Sequence, residues 1–150
     1  MTVNTKHTLT LLVGIPGAGK STRSQIHEAA GLSVLSSDAL RAVFGKSEED
    51  QSVSRNVFLH MENETARLLA ENHSVVIDAT NYNRKNRSRF VQIGRKAGAH
   101  IIAEVFNTPL DVCKARNAAR GRVVPDFVLD RMHKGFEMPL VGEVDEVKLF

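Results

Sequence analysis

The octapeptide GIPGAGKS, residues 14–21, matches the pattern G-x-x-x-x-G-K-[ST]. It follows a short apolar run, LTLLV (9–13), that predicts a buried strand, and it precedes a segment of helical character that ends at Gly31. A glycine-rich turn between a strand and a helix gathers backbone N–H groups at the positive end of the helix dipole, where they bind phosphate. The stretch therefore predicts a P-loop for a nucleoside triphosphate.

The residue types inside the loop assign its candidate contacts. Lys20 is expected to reach the β- and γ-phosphates, and the Ser21 hydroxyl is expected to coordinate Mg²⁺. ATP and Mg²⁺ are thus the expected cofactors. Together with two arginines considered below, the candidate ATP-binding residues are Gly14, Gly17, Ala18, Gly19, Lys20, Ser21, Thr22, Arg116 and Arg120.

Strands and helices alternate along the rest of the chain. The apolar run that ends in VVID (75–78) suggests a strand buried on both faces, as in a parallel sheet. Alternation at this spacing predicts an α/β single domain over residues 1–150, with four or five parallel strands and helices on both faces. Beyond 9–13, strands are predicted at 33–37, 74–78, 100–106 and 145–150, and helices at 20–30, 39–44, 53–72, 83–98, 109–120 and 125–134.

Composition excludes several classes of protein. The chain has 150 residues, of which 42% are hydrophobic and 25% charged, as in ordinary globular domains. We find no apolar run long enough to span a membrane and no signal-peptide cleavage site near the N-terminus. The single cysteine, Cys113, excludes an intrachain disulfide and fits a reducing compartment. We therefore expect a cytoplasmic protein without a membrane partner. The sequence is compatible with a homo-oligomer as well as with a monomer.

Positive charge is concentrated in the middle of the chain. Residues 84–122 hold ten Lys and Arg against two acidic residues, a net charge of +8. Such asymmetry indicates a polyanionic partner. The alternative is a solvated basic helix face.

Asp78 lies at the carboxyl end of a predicted buried strand. That end of a parallel sheet faces the phosphate site, so Asp78 is the second candidate Mg²⁺ ligand beside Ser21. The alternative is an N-cap of the next helix, a role that Asn81 or Asn83 could take instead.

Asp38 and Arg41 follow the second predicted strand, on the same rim as the P-loop. A carboxylate there can accept the proton of an attacking hydroxyl. Arg41 lies one helical turn further on the same face and could hold an anionic group beside that hydroxyl. The alternative is an N-cap aspartate with a surface arginine.

The segment ARNAARGR (115–122) holds three arginines and no acidic residue. Arg116 and Arg120 share a helix face, and Arg122 follows in a glycine-containing loop. A segment that connects two helices in this way, about 116–125, is expected to act as a lid. A mobile arginine there can stabilise the charge of a phosphoryl group in transfer. A solvated basic helix end is the alternative.

Four motifs, GIPGAGKST, SSDALR, VVIDATNYNRKNR and KARNAARGRVVP, occur in this order. From Leu9 to Phe136 the chain resembles the 5′-kinase domain of phage and bacterial polynucleotide kinases. These are P-loop phosphotransferases that phosphorylate 5′-hydroxyl ends of DNA or RNA. The resemblance implies a P-loop kinase fold with an arginine-bearing lid, and transfer of the γ-phosphoryl group of ATP to nucleic-acid 5′-OH ends.

The resemblance also implies roles for single residues. Lys20, Asp38 and Arg120 become the catalytic set, with Asp38 as general base, and Arg116 supports the lid. The phage motif has its Asp directly before Thr-Asn, whereas this chain reads Asp78-Ala79-Thr80 as bacterial versions do. The implied substrate-binding residues are Asp38, Arg41, Thr80, Asn81, Arg84 and Arg87.

Other functions stay open at this point. A P-loop kinase for a sugar, nucleoside or antibiotic would keep Asp38 and the lid but would not need the basic stretch. A non-catalytic nucleotide-binding module would need neither. Many polynucleotide kinases carry a phosphatase or ligase domain after the kinase, so the chain is interpreted as a stand-alone kinase or a fragment.

Overall fold

A computed structural model describes residues 7–47, 50–120 and 124–150. Its centre is a sheet of five parallel strands in the order β2-β3-β1-β4-β5. The strands are β1 Thr8–Val13, β2 Ser33–Ser36, β3 Val75–Asp78, β4 His100–Val105 and β5 Glu146–Leu149. The helices are α1 Lys20–Ala29, α2 Ser37–Phe44, α3 Ser54–Ala70, α4 Arg84–Lys96, α5 Leu110–Ala119 and α6 Asp126–Lys134, with a 3₁₀ turn at Gln51–Val53.

The central strands β1 and β3 are buried on both faces, as their continuous apolar sequences predict. Leu9, Leu11, Leu12 and Val13 of β1 are all 0% exposed. Alternate side chains of a strand point to opposite faces, so this burial requires a layer of helices on each side.

The two helical layers contact the sheet through different kinds of side chain. On one face, Leu9 and Leu11 join a core with Val57 and Met61 of α3 and Phe90 of α4. The other face carries a buried carboxylate as well as apolar side chains. The register pairs Leu12 with Glu104 of β4, so both side chains lie on that face.

Two side chains of α1 bind the Glu104 carboxylate. Arg23 donates to both carboxylate oxygens, with N–O distances of 3.0 and 2.9 Å, and His27 lies 2.8 Å from Oε1. Hydrogen bonds from these two side chains keep the pKa of the Glu104 carboxyl below its usual range even though burial opposes them. A fixed polar contact thus docks the helix that carries the P-loop lysine.

The predicted α/β fold is confirmed, and of the four or five parallel strands predicted the structure has five, including the final strand. The start of one helix needs correction. The α2 helix begins at Ser37, and its N-cap is Ser36, whose hydroxyl accepts from the N–H of Ala39 at 3.3 Å. Asp38 therefore lies in the first turn and is not the N-cap. Among the described residues, no helix combines the length and apolarity needed to cross a bilayer.

Candidate active site

The loop between β1 and α1 has the backbone that its glycines predict. Gly17 and Gly19 have φ angles of 85° and 111°, in the left-handed region that favours glycine. At Gly17 a Cβ would lie 2.5 Å from the carbonyl oxygen of Cys113 in α5. Only glycine therefore fits at this position, because the loop lies directly on the backbone of α5.

Neighbouring segments form hydrogen bonds with the backbone of this loop. The N–H of Gly14 donates to the Thr80 carbonyl oxygen at 2.9 Å, which joins the loop to the segment after β3. The Thr108 hydroxyl donates to the Ala18 carbonyl oxygen at 2.7 Å, and Arg116 donates to that of Gly17 at 3.3 Å. The loop is thus held in shape from β3 and from α5.

Lys20 folds back over the loop. Its ammonium donates to the carbonyl oxygens of Gly14 and Ile15, at 2.7 and 3.1 Å. Burial lowers the pKa of Lys20 to about 8, and the carboxylates of Asp78 and Asp38 act in the opposite direction. Both carboxylates are therefore close enough to Lys20 to influence its charge.

A cleft of about 600 Å³ opens over the loop. It collects side chains from α1, α2, β3, α5 and α6, and so from both sides of the sheet's central strands. A volume of this size suits a nucleotide or a comparable ligand. The predicted site residues that line it are Gly17, Gly19, Lys20, Ser21, Asp38, Arg41, Asp78, Thr80 and Arg120.

Asp38 lies within a row of polar side chains. Arg41 donates from Nη1 to Asp38 Oδ1 at 2.9 Å and from Nε to the Ser54 hydroxyl at 3.2 Å. The Ser54 hydroxyl donates in turn to Gln51 Oε1 at 3.1 Å. Asp38, which lines the cleft, keeps 42% of its side chain exposed, whereas Arg41 keeps 12%. The row fixes Arg41 and, through it, the carboxylate.

The lid predicted at about 116–125 is described only in part, because residues 121–123 lie outside the described residues. Arg122 falls among them. Arg120 is the C-cap of α5, is exposed and lines the cleft. The side chain of Asn117 bonds the backbone of Val124 in both directions, at 2.7 and 3.3 Å. Asn117, which the motif analysis did not select, thus ties the two ends of this segment together.

Three predicted substrate contacts lie away from the cleft. Asn81 is 2% exposed, and its amide donates to the Leu12 carbonyl oxygen at 2.8 Å. Arg87 is 0% exposed; it donates to both oxygens of Glu143, at 2.7 and 3.2 Å, and to the Asn81 carbonyl oxygen at 2.8 Å. Arg84 is exposed at the start of α4 but lines a separate hollow. The expectation of a nucleic-acid contact at Arg87 is wrong, because its charge is buried and paired.

The basic stretch is partly neutralised within the chain. Among the residues that the structure describes, four of its cations pair with acids outside the counted segment, namely Arg87 with Glu143, Arg89 with Glu62, Arg95 with Asp145 and Lys114 with Asp130. The net charge of +8 therefore overstates the positive surface that a partner meets.

The residues predicted for Mg²⁺ are compatible with that ion. Ser21 and Asp78 both line the cleft beside Lys20. A hydroxyl and a carboxylate are hard oxygen donors, and Mg²⁺ is usually held by one or two such groups together with substrate phosphates. The part of the chain that the structure describes has no cluster of three or more His, Cys, Asp or Glu able to bind a metal alone. This set fits an ion that arrives with a nucleotide.

Several cleft residues were not selected from the sequence. Gln51 and Phe58 come from the 3₁₀ turn and α3, and Val128, Arg131 and Met132 come from α6. One signal was available, since spacings of three and four residues place 51, 54 and 58 on one helical face. No comparable pattern marks the α6 residues, because their approach depends on how α6 packs.

Comparison with known proteins agrees with this geometry. A sequence model of the AAA domain family matches residues 9–139. The chain belongs to this AAA domain family. Its P-loop kinase fold is shared by a chain of the Pnkp1/Rnl/Hen1 RNA repair complex, with a TM-score of 0.77, 23% identity and coverage of 90% of this chain and 46% of the other. A gluconokinase from Sinorhizobium meliloti 1021 gives a TM-score of 0.61, 20% identity and coverages of 94% and 81%.

A curated relative of this AAA domain protein is the L-seryl-tRNA(Sec) kinase of Methanococcus maripaludis. The two are 27% identical over 140 residues, which cover 87% of this chain and 53% of the relative. The chain thus spans about half the length of the curated relative that it matches. Family and fold make it a P-loop nucleotide-binding protein of the kinase type.

Proposed function

We propose that this protein transfers the γ-phosphoryl group of ATP to the 5′-hydroxyl of a polynucleotide. The observation that carries the proposal is the juxtaposition of Asp38 and Lys20 in one cleft, with the carboxylate held by Arg41. A non-catalytic nucleotide-binding module would need the P-loop but not an oriented carboxylate facing it.

The proposed reaction is an in-line displacement. The acceptor hydroxyl gives its proton to Asp38 as its oxygen forms a bond to the γ-phosphorus, and the bond from that phosphorus to the β–γ bridging oxygen breaks. ADP leaves with the electron pair of the broken bond. Lys20 and Arg120 stabilise negative charge on the phosphates, and no covalent enzyme intermediate is required.

Mg²⁺ would be held by Ser21 and by Asp78, the latter directly or through water. When bound, it would supply charge neutralisation between the β- and γ-phosphates. Thr80 lines the floor of the cleft, and its carbonyl oxygen holds the first glycine of the loop. These residues can orient the donor before the acceptor enters.

Two of the similar proteins support a nucleic-acid acceptor by their names, one as part of an RNA repair complex and the other as a tRNA kinase. The tRNA kinase also suggests a second candidate, in which the acceptor is the side-chain hydroxyl of a seryl group carried by tRNA. Both acceptors place an alcohol next to a nucleotide. In the polynucleotide this alcohol is the 5′-hydroxyl of the terminal sugar, whereas in seryl-tRNA it is the side-chain hydroxyl of the seryl group.

The deciding experiment supplies γ-labelled ATP and Mg²⁺ with a panel of acceptors. The panel contains a 5′-hydroxyl oligonucleotide, the same oligonucleotide already phosphorylated at its 5′ end, seryl-tRNA, free nucleosides, gluconate and other sugars. Label on the 5′-hydroxyl oligonucleotide and not on its phosphorylated counterpart supports the proposal. Label only on seryl-tRNA would contradict the polynucleotide acceptor and support the seryl-tRNA acceptor. Label only on a sugar or nucleoside would contradict both acceptors.

A further inference from the structure

An aromatic ring lines the acceptor side of the cleft. Phe58 lies in the second turn of α3, is half-buried, and borders the same cavity as Asp38 and Lys20. Part of its side chain packs against the main core, which fixes the ring.

Next to the ring is a cation whose position is fixed. The guanidinium carbon of Arg41 lies 5.8 Å from the Phe58 ring centroid. Its hydrogen bonds to Asp38 and Ser54 leave the guanidinium little freedom to turn. An incoming hydroxyl that reaches Asp38 therefore passes beside a ring and an arginine at once.

The α6 side of the cleft combines apolar side chains with one arginine. Val128 and Met132 of α6, and Val124 and Pro125 before it, contribute to the lining together with Arg131. A nucleobase presents flat faces that stack on aromatic rings and contact apolar side chains.

We propose that Phe58 is the platform for the nucleobase of the acceptor's terminal nucleotide, so that the enzyme requires a base next to the hydroxyl it phosphorylates. This inference rests on the proposed function. It goes further than that function, because the reacting 5′-hydroxyl belongs to the sugar and the chemistry alone requires no base. The ring adds a requirement for the nucleobase attached to that sugar. Arg41, beside the ring, then lies where the base joins the sugar-phosphate chain.

The test uses two oligonucleotides of equal length and sequence, both with a 5′-hydroxyl. One carries a normal base on its first residue and the other a tetrahydrofuran abasic residue there. With wild-type protein, kcat/KM is expected to fall at least about tenfold on the abasic substrate, the size expected for loss of one base–aromatic stack.

Variants of the ring locate the effect. In Phe58→Ala the two oligonucleotides should be used within about twofold of each other, because the normal base has lost its partner. Phe58→Tyr keeps a stacking ring and should keep the discrimination. Phe44→Ala is the matched control, since Phe44 is exposed, packs edge-on against His60 and is not among the cleft residues; it should discriminate like wild type.

The outcomes separate the two proposals. If wild type uses both oligonucleotides equally well, the platform is overturned and the proposed function stands. If wild type phosphorylates neither oligonucleotide but labels a sugar, both fall. Because the comparison of the two substrates on wild type involves no variant, it decides the inference even if Phe58→Ala fails to fold.

Discussion

Arg41 and Asp38 lie one helical turn apart on α2, and the Arg41 guanidinium donates to the Asp38 carboxylate over 2.9 Å. Both side chains border the cleft that contains Lys20. An ion pair between residues so close in sequence would ordinarily contribute little. Here the arginine is also bound by Ser54, so the pair holds a carboxylate at the edge of the cleft that contains the P-loop lysine.

Replacement of that carboxylate is the most direct test of the chemistry. Asp38→Asn should lower kcat by about 10²- to 10⁴-fold, the usual contribution of a general base. ATP affinity should change less than about threefold, because Lys20 and the loop backbone remain. Single-turnover phosphorylation and equilibrium nucleotide binding measure the two quantities. Glu28→Gln, an exposed position on α1, is the control, and a wild-type rate in Asp38→Asn would contradict the role of Asp38.

Removal of the lid arginine should affect transfer more than binding. Arg120 lies at the end of α5 on the edge of the cleft. In Arg120→Ala we expect kcat to fall at least about tenfold, on the scale of an arginine that stabilises phosphoryl charge. Arg55→Ala removes an exposed arginine of α3 and should leave kcat unchanged. Unchanged turnover in Arg120→Ala would assign Arg120 to the solvated helix end.

The ionisation of Lys20 predicts a pH dependence of ATP binding. Its pKa is about 8 in the described structure because burial disfavours the ammonium. Phosphates favour the ammonium, so binding raises this pKa again and takes up protons above pH 8, and affinity falls as pH rises through that value. At pH 8.5 ATP binding should therefore be accompanied by net uptake of a large fraction of a proton.

Calorimetry in two buffers with different ionisation enthalpies measures this uptake. Lys20→Arg keeps a positive charge at every pH tested and should show none of it. Equal proton uptake by the variant and by wild type at pH 8.5 would mean that another group titrates.

Much of the fold could be predicted because its signals are local. Apolar runs, a glycine-rich turn and regular alternation indicate the sheet, and the same motifs bring Lys20, Asp38 and Asp78 to one edge. Asn83 was one of two asparagines predicted as a possible N-cap of α4, and its side chain accepts from the N–H of Asn86 at 2.8 Å. These features depend on residues within a few positions of one another, or on the rule that parallel strands share one carboxyl edge.

The errors concern contacts distant in sequence. The resemblance to polynucleotide kinases implied a substrate contact at Arg87, but its guanidinium is paired with Glu143, which lies 56 residues away. Phe58 packs against the core and also borders the cleft. Neither fact is encoded in local spacing, because each depends on where another segment packs.

The partly neutralised basic stretch predicts a modest salt dependence of acceptor binding. Among the described residues, the arginines that border the cleft are Arg41, Arg120 and Arg131; Arg41 is paired with Asp38, and Arg120 is proposed to contact the ATP phosphates. One or two phosphate contacts with a single strand give a slope of log K against log salt of about −0.7 to −1.4. Binding of a labelled 5′-hydroxyl oligonucleotide between 50 and 300 mM salt, roughly the range in which such slopes are resolved, measures it. A slope near zero would favour a neutral small acceptor, and one steeper than about −5 would mean that all the basic residues take part.

Two neighbouring arginines of α4 offer a sharp contrast in stability. The Arg87–Glu143 pair is 1% and 6% exposed, whereas the Arg89–Glu62 pair is 63% and 20% exposed. Removing one partner of a buried pair leaves an uncompensated charge and costs about 3–5 kcal/mol, whereas an exposed pair contributes about 0–1 kcal/mol. Glu143→Ala should therefore lower the free energy of unfolding by several kcal/mol, and Glu62→Ala by less than about 1 kcal/mol.

Urea denaturation of the two single variants measures this difference, and the double variant Arg87→Met/Glu143→Leu tests its cause. Since it removes both charges and keeps apolar volume, it should be more stable than Glu143→Ala alone. The guanidinium of Arg87 also holds the Asn81 carbonyl oxygen, one residue from the Thr80 carbonyl oxygen that binds Gly14 of the P-loop. The double variant should consequently recover stability but bind ATP more weakly than wild type. If the double variant recovered both stability and ATP affinity, the pair would stabilise the fold without shaping the P-loop. Equal losses of stability in Glu143→Ala and Glu62→Ala would contradict the burial of the Arg87–Glu143 pair.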